Sequence, residues 1–244
     1  MAREGRVSRE LQVLCAGAVK GLVEAVKPRF LAQTGVALAG RFGAVGAMKE
    51  ALMSGVPCDV LIVTDAMLRA LRDNGAIDAE PLATIGRVHT GVAARAGEAL
   101  PRIDSSDALK ATLLAAPAVY LPDLEKSTAG AHVASVLERL GVRAALAPRL
   151  AIFANGATAM AALVESGAAG AIGCTQVTEI LDTPGLALAG ALPEPFDLAT
   201  VYSAGISKTS YDPALAASFI AMLSGAGTAA LRREGGFDSL DPSA

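Results

Sequence analysis

The chain reads as an α/β protein of two doubly wound lobes joined by crossing strands, with a ligand cleft at its centre. Three observations predict this. Short apolar runs alternate with amphipathic helical stretches. The runs are nearly continuous in apolar residues, as in strands buried on both faces. Four helices open directly after turns built of very small residues. The length of 244 residues suits one large or two small domains.

The first βα unit is Leu11-Gln12-Val13-Leu14-Cys15, the turn Ala16-Gly17-Ala18, then Val19, Leu22, Val23 and Val26 at helical spacing. Pro28 is expected to disturb that helix, and Gly35 to close it. Val36, Leu38, Gly40 and Phe42 alternate as a second strand, followed by Gly43-Ala44-Val45-Gly46 and another helix. Asp59 to Thr64 is a third strand, and Ala66 to Arg72 its helix. A second series follows. Strands are expected at Arg87–Arg95, Ala118–Leu121, Leu150–Phe153 and Ala169–Thr175. Ser105/Ser106 with Asp107 reads as a helix N-cap. The loop Asp123 to Ala131 leads into a helix whose Val133, Val136, Leu137 and Leu140 share one face, and Asn155-Gly156-Ala157-Thr158 opens a helix through Glu165. Leu198 to Tyr202 is extended again. Asp212-Pro213 is a cap with proline at the first helical position. The uncharged stretch from Pro213 to Leu231 is broken by Ser218, Ser224, Gly225, Gly227 and Thr228, so it reads as two buried helices rather than a membrane span. Lobe 1 is expected over 1–86 plus 200–244 and lobe 2 over 87–199, with crossings near Thr84–Val92 and Phe196–Ser203.

Composition narrows the function. Hydrophobic residues make up 52% and charged residues 18%, which favours a packed globular core over disorder. The net charge of −3 supplies no basic excess for nucleic acid. Cys15, Cys58 and Cys174 are widely spaced and read as small buried hydrophobes; with only His89 and His132 besides, no metal site and no cofactor is expected. The first ten residues carry charges and no apolar stretch, so no signal peptide is expected. The protein would then be cytoplasmic, or periplasmic if a leader had been removed. The few residues before Leu11 supply no helix-turn-helix, so a DNA-binding regulator is not expected.

The turns carry the chemistry. A helix start leaves up to four N–H groups unpaired and carries about half a positive charge. Small side chains let a ligand reach those groups, and in open α/β sheets such turns lie at the carboxyl ends of strands. The candidate ligand-binding residues are accordingly Gly17, Ala18, Ala44, Val45, Ser127, Thr128 and Asn155, joined by Thr64, Thr175 and Gln176 at strand ends and by Lys20 as a cation. Arg41, Lys49 and Lys126 are further cations beside the turns. The alternative is that small residues merely permit close helix–strand packing, and that Gln176 and Glu179 cap the next helical turn. Gly43 and Gly130 are the glycines whose enlargement should separate the two, weakening binding more than stability if they serve a ligand. His89, on a crossing strand, reads as a satisfied hinge residue.

The segments Leu11 to Ala18, Phe42-Gly43-Ala44-Val45-Gly46-Ala47 and Val56 to Asp65, with Gly167–Thr175 and Leu198–Ala204, resemble the molybdate-binding proteins of ABC importers, within the type 2 periplasmic-binding-protein superfamily. The resemblance implies two hinged lobes closing on an anion, and an ABC permease as partner if the protein is exported. It departs from the family at the oxyanion-holding serines, whose places fall on Ala18 and on Ala44 or Val45, and at a later tyrosine, whose place falls on Thr175. A carboxylate held by backbone N–H groups is therefore an alternative to an oxyanion. The chain is similar also to aconitate isomerases, which implies a proton shift in an unsaturated di- or tricarboxylate. For that activity His132 and Glu179 are the catalytic candidates, with Asp123 and Tyr202 as further acid–base groups.

Overall fold

The computed structural model describes residues 10–238. The segment on which the signal-peptide expectation rests, and the last residues assigned to lobe 1, lie outside them.

Three parallel βα units form the first half. Strands β1 (Leu11–Ala16), β2 (Leu38–Gly43) and β3 (Val60–Thr64) pair in parallel, with β1 in the middle. Their helices are α1 (Lys20–Thr34), α2 (Val45–Met53) and α3 (Asp65–Asp73). A single 3-10 turn over Gly17–Val19 leads into α1. Pro28 does not interrupt α1, which runs on to Thr34 and ends at Gly35 with φ 72°.

Strand β4 (Ile77–Arg95) then crosses the molecule. Its first part pairs with the returning strand β9 (Ala199–Ser207), and its last part with strands of the second half. It begins well before the expected Arg87, because Pro81 and the polar residues around it hide the strand pattern.

The second half contains α4 (Ser106–Ala115), β5 (Val119–Pro122), α5 (Thr128–Arg139), the short α6 (Arg143–Leu146), β6 (Leu150–Phe153), α7 (Gly156–Ser166), β7 (Ile172–Gln176), α8 (Val177–Leu181) and β8 (Leu186–Ala191). Sheet order is β2-β1-β3-β9-β4-β7-β5-β6, with β8 attached to β4. The chain closes with α9 (Pro213–Ser224) and α10 (Ala229–Glu234). Phe219 of α9 packs edge-on against Phe30 of α1, ring centroids 5.3 Å apart. Among the described residues no single helix is long and apolar enough to cross a membrane.

Three clusters of apolar contacts hold this together. One core takes residues 11–88, Val177 and 202–237; two smaller clusters lie within 92–196 and Ile180. The cysteines are free and buried, and burial pushes the Cys58 and Cys174 thiols up to about 12, so they remain protonated packing groups. Helix α8 contributes Val177 to the large core and Ile180 to one of the smaller clusters, so it is wedged between the halves.

Candidate functional site

The four small-residue turns meet. One cavity is lined by Ala16, Gly17 and Ala18, by Gly43, Ala44 and Val45, by Ser127, Thr128 and Ala129, and by Asn155 and Gly156. Gln176, Glu179 and Tyr202 complete it. Its free volume is only ≈10 Å³, about the room of one water. The halves are drawn together around it. The Gly46 N–H at the start of α2 donates to the Lys126 carbonyl across the mouth (3.0 Å), and Lys126 Nζ reaches Glu50 Oε2 (3.1 Å). Lys20 Nζ meets Asp182 Oδ2 at 3.3 Å. The Tyr202 hydroxyl is hydrogen-bonded to the Thr128 side chain.

The helix starts differ in what already satisfies them. Ser127 Oγ accepts from the Gly130 N–H (3.3 Å), and Asn155 Oδ1 from the Thr158 N–H (2.9 Å) in a full capping box. Both side chains therefore serve their own helices α5 and α7. Ala16 and Ala44, in the corresponding positions of the first half, have no capping side chain. Those starts present bare backbone to the cavity.

Glu179 is the charged lining residue. Thr175 Oγ1 donates to its Oε2 at 2.5 Å, and the backbone N–H groups of Gln176 and Ala157 donate to the same carboxylate. Its oxygens press on two glycines. A Cβ at Gly17 would sit 2.3 Å from Oε1, and one at Gly156 would sit 1.9 Å from Oε2. These two positions are small to make room for a carboxylate of the protein itself, spanning from the first turn to the α7 start. Burial pushes the Glu179 carboxyl upward, and Asp182 adds to this; the Thr175 hydroxyl and the two backbone donors pull it back without winning. Burial likewise raises Tyr202, with the Glu179 charge second.

Gln176 is 2% exposed, and neither its Nε2 nor its Oε1 has a hydrogen-bond partner. A buried amide with both ends unmet costs roughly 1–3 kcal/mol per group. Its place on the cavity wall gives it a polar partner only when something polar enters.

Other predicted residues lie elsewhere. Lys20 is paired with Asp182 and is not in the lining. Thr64 caps α3 through the Met67 N–H (3.4 Å), and Thr175 acts through Glu179. His132 Nε2 is 2.7 Å from the Phe196 carbonyl and does not line the cavity, so it is not brought to Glu179. Asp123 Oδ1 accepts from the Glu125 and Lys126 N–H groups (2.8 and 2.7 Å) and shapes its loop. Arg41 and Lys49 are exposed. Gly130 stands against backbone, its hypothetical Cβ 2.1 Å from the Asp123 carbonyl oxygen, so its smallness serves packing. His89 is held between Asp197 (2.6 Å from Nδ1) and Asp238 (2.7 Å from Nε2) beside the crossing strands. Tyr202, considered only as an acid–base group, is a wall residue; its alternating strand carried no sign of which face meets the cavity. No group of three or more His, Cys, Asp or Glu suited to a metal ion occurs among the described residues.

Comparison with known proteins agrees with this architecture. The family model for bacterial extracellular solute-binding proteins matches residues 11–238. The Azotobacter vinelandii periplasmic molybdate-binding protein superposes with a TM-score of 0.80 at 20% identity, covering 95% of this chain and 100% of that one. The sulfate-binding protein of Mycobacterium tuberculosis H37Rv gives 0.73 at 19% identity, covering 96% and 88%. An aconitate isomerase from Pseudomonas sp. is 26% identical over 219 residues, 87% of this chain and 81% of that protein. The family is extracellular by description, and the expectation of a cytoplasmic protein finds no support in it.

Proposed function

The chain belongs to the bacterial extracellular solute-binding proteins, and on that premise we propose that it captures a small anion, an oxyanion or a carboxylate, in the cavity between its halves. The observation that carries this is Gln176, whose buried amide faces uncapped helix starts and lacks partners of its own. The bare starts at Gly17–Ala18 and Ala44–Val45 supply N–H donors and partial positive charge. Alanine or valine stands where serine hydroxyls hold the oxyanion in the molybdate-binding family, so backbone donors and the Gln176 amide take over that work. A free volume of ≈10 Å³ is too small for a tetrahedral anion, so entry needs the halves to part about β4 and β9 and to close again on the guest. In an importer, the closed form would be delivered to an ABC permease.

Calorimetric titration with sulfate, molybdate, hydrogen phosphate, citrate and the aconitates tests this. One guest per chain is expected, with affinity lowered about ten- to hundredfold in Gln176→Leu. Silence from every anion, or unchanged affinity in that variant, overturns the reading.

A second reading rests on Glu179. A buried carboxyl held above its usual range, beside Tyr202 and facing the cavity, has the character of a proton-transfer group. The similarity to an aconitate isomerase at 26% identity points the same way. Glu179 would remove an allylic proton and return it at the other end of the double bond, while helix-start N–H groups stabilise the enolate-like intermediate. Incubation with cis- or trans-aconitate should then change the ultraviolet absorbance. Glu179→Gln should abolish the change, and His132→Ala should leave it, since His132 lies outside the cavity. Aconitate recovered unaltered from the wild-type protein excludes this reading.

A further inference from the structure

The cavity contains a contradiction if its guest is merely an anion. Its lining holds no lysine or arginine, and its one charged side chain is an acid. Glu179 already draws on the α7 start through the Ala157 N–H, and on the Gln176 N–H and the Thr175 hydroxyl. Two negative groups within one small buried space cannot both stay ionised cheaply, because their repulsion is weakly screened there. A proton lying between them turns that repulsion into a hydrogen bond.

We propose that Glu179 is the specificity-determining group of this cavity, sharing one proton with the guest, so that the site takes anions that carry a proton in preference to those that carry none. This deepens the anion-binding reading and rests on it. The preferred class is a hydrogen oxyanion, or an acid bound in a partly protonated form. Such a guest brings its own proton. A fully ionised guest binds only when Glu179 itself carries that proton.

The surroundings leave Glu179 as the group that responds. Asp182, on the same helix, is paired with Lys20 of α1. Tyr202 of β9 and Cys15 of β1 are held protonated by burial. On β4, His89 is engaged by Asp197 and Asp238, and neither it nor those carboxylates line the cavity. The upward push on the buried carboxyl agrees with proton retention.

Sulfate and hydrogen phosphate share size and shape and differ by a proton, which makes them the natural probes, with cis-aconitate as a fully ionised carboxylate. Titrations at pH 8 in two buffers of different ionisation enthalpy count protons taken up on binding. For the wild-type protein the count for sulfate or cis-aconitate should exceed that for hydrogen phosphate by about one, whichever form Glu179 takes in the free protein. Affinity for the fully ionised guests should fall about tenfold per pH unit once Glu179 is ionised in the free protein. In Glu179→Gln the difference between the counts should vanish, and with it the fall of sulfate affinity with rising pH. The wild-type counts need no variant. Equal counts for sulfate and hydrogen phosphate in the wild-type protein overturn the proposal while leaving anion binding intact. If none of the three binds either protein the proposal falls, and the anion-binding reading falls as well when molybdate and citrate are also silent.

Discussion

The two walls of the cavity are built on different principles. The wall from the first half offers backbone alone: Ala16, Gly17 and Ala18, then Gly43, Ala44 and Val45, with no capping side chain at either start. The wall from the second half is chemically furnished. Its helix starts are self-capped by Ser127 and Asn155, and Thr128, Gln176 and Glu179 bring hydroxyl, amide and carboxyl groups. A bare helix start attracts any anion that fits, by partial charge and N–H donors. Side chains with fixed donor or acceptor roles discriminate between anions. If the cavity captures an anion as proposed, attraction and discrimination sit on opposite walls, and closing the cleft combines them.

The sharpest way to break this division is at Gly17. A methyl group there would lie 2.3 Å from Glu179 Oε1, with its other neighbours at 3.4 Å or more. Gly17→Ala should therefore cost the closed form about 1–3 kcal/mol through overpacking. Glu179→Ala in the same chain should restore most of that loss, because the clash is with this one side chain. Thermal melts of both single variants and the double variant measure the coupling; simple additivity would detach Gly17 from Glu179. Gly156→Ala should be recovered less completely, since Thr175 Oγ1 also lies 2.2 Å from its added methyl group.

Gln176 separates binding from folding. Replacing the amide by Gln176→Leu removes polar atoms that nothing in the protein satisfies. Stability should hold or rise slightly, while anion affinity drops about ten- to hundredfold, as for two hydrogen bonds of roughly 0.5–1.5 kcal/mol each. A large fall in melting temperature with unchanged affinity would make Gln176 a structural residue.

Glu179 itself sharpens the comparison through pH. Its carboxyl is held above the model-peptide value of 4.5 in the folded chain, so between that value and the folded one the native state binds a proton the unfolded state has lost. Stability from this group is thus complete below about pH 4.5 and declines as pH rises through the folded value. Relative to wild type, Glu179→Gln should gain melting temperature at pH 8 and gain little or nothing near pH 4. A difference of the same size at both pH values would remove the titration from the account.

Much of this is legible in the amino-acid sequence. The parallel strands announce themselves as apolar runs, because burial on both faces leaves no polar alternation. The cage turns are visible as clusters of Gly and Ala after those runs. Less visible was β8, whose Leu186–Ala191 segment is rich in small residues, and the first part of β4, masked by Pro81. The site was legible as backbone and poorly so as side chains. Gly17 and Gly156 were recognised as small but not as neighbours of Glu179, since that contact joins positions 17, 156 and 179 only through the tertiary fold. His132 sits one turn into the helix that follows a cavity loop, yet its ring turns to the Phe196 carbonyl. Helical position alone does not decide between those faces.

The smallest expected effect lies at the mouth, where Lys126 joins the walls twice. Its Nζ pairs with Glu50, and both side chains are more than half exposed (51% and 61%), so the pair contributes less than about 1 kcal/mol. Its carbonyl receives the Gly46 N–H at 3.0 Å, a bond no side-chain substitution removes. Lys126→Ala should therefore lower anion affinity no more than about fivefold, with the difference fading in high salt as screening weakens the pair in the wild-type protein. Small-angle scattering of the unliganded variant should show at most a slight shift toward the open form. A large opening would mean that the Lys126–Glu50 pair, rather than the backbone bond and the Glu179 contacts behind it, keeps the two walls together.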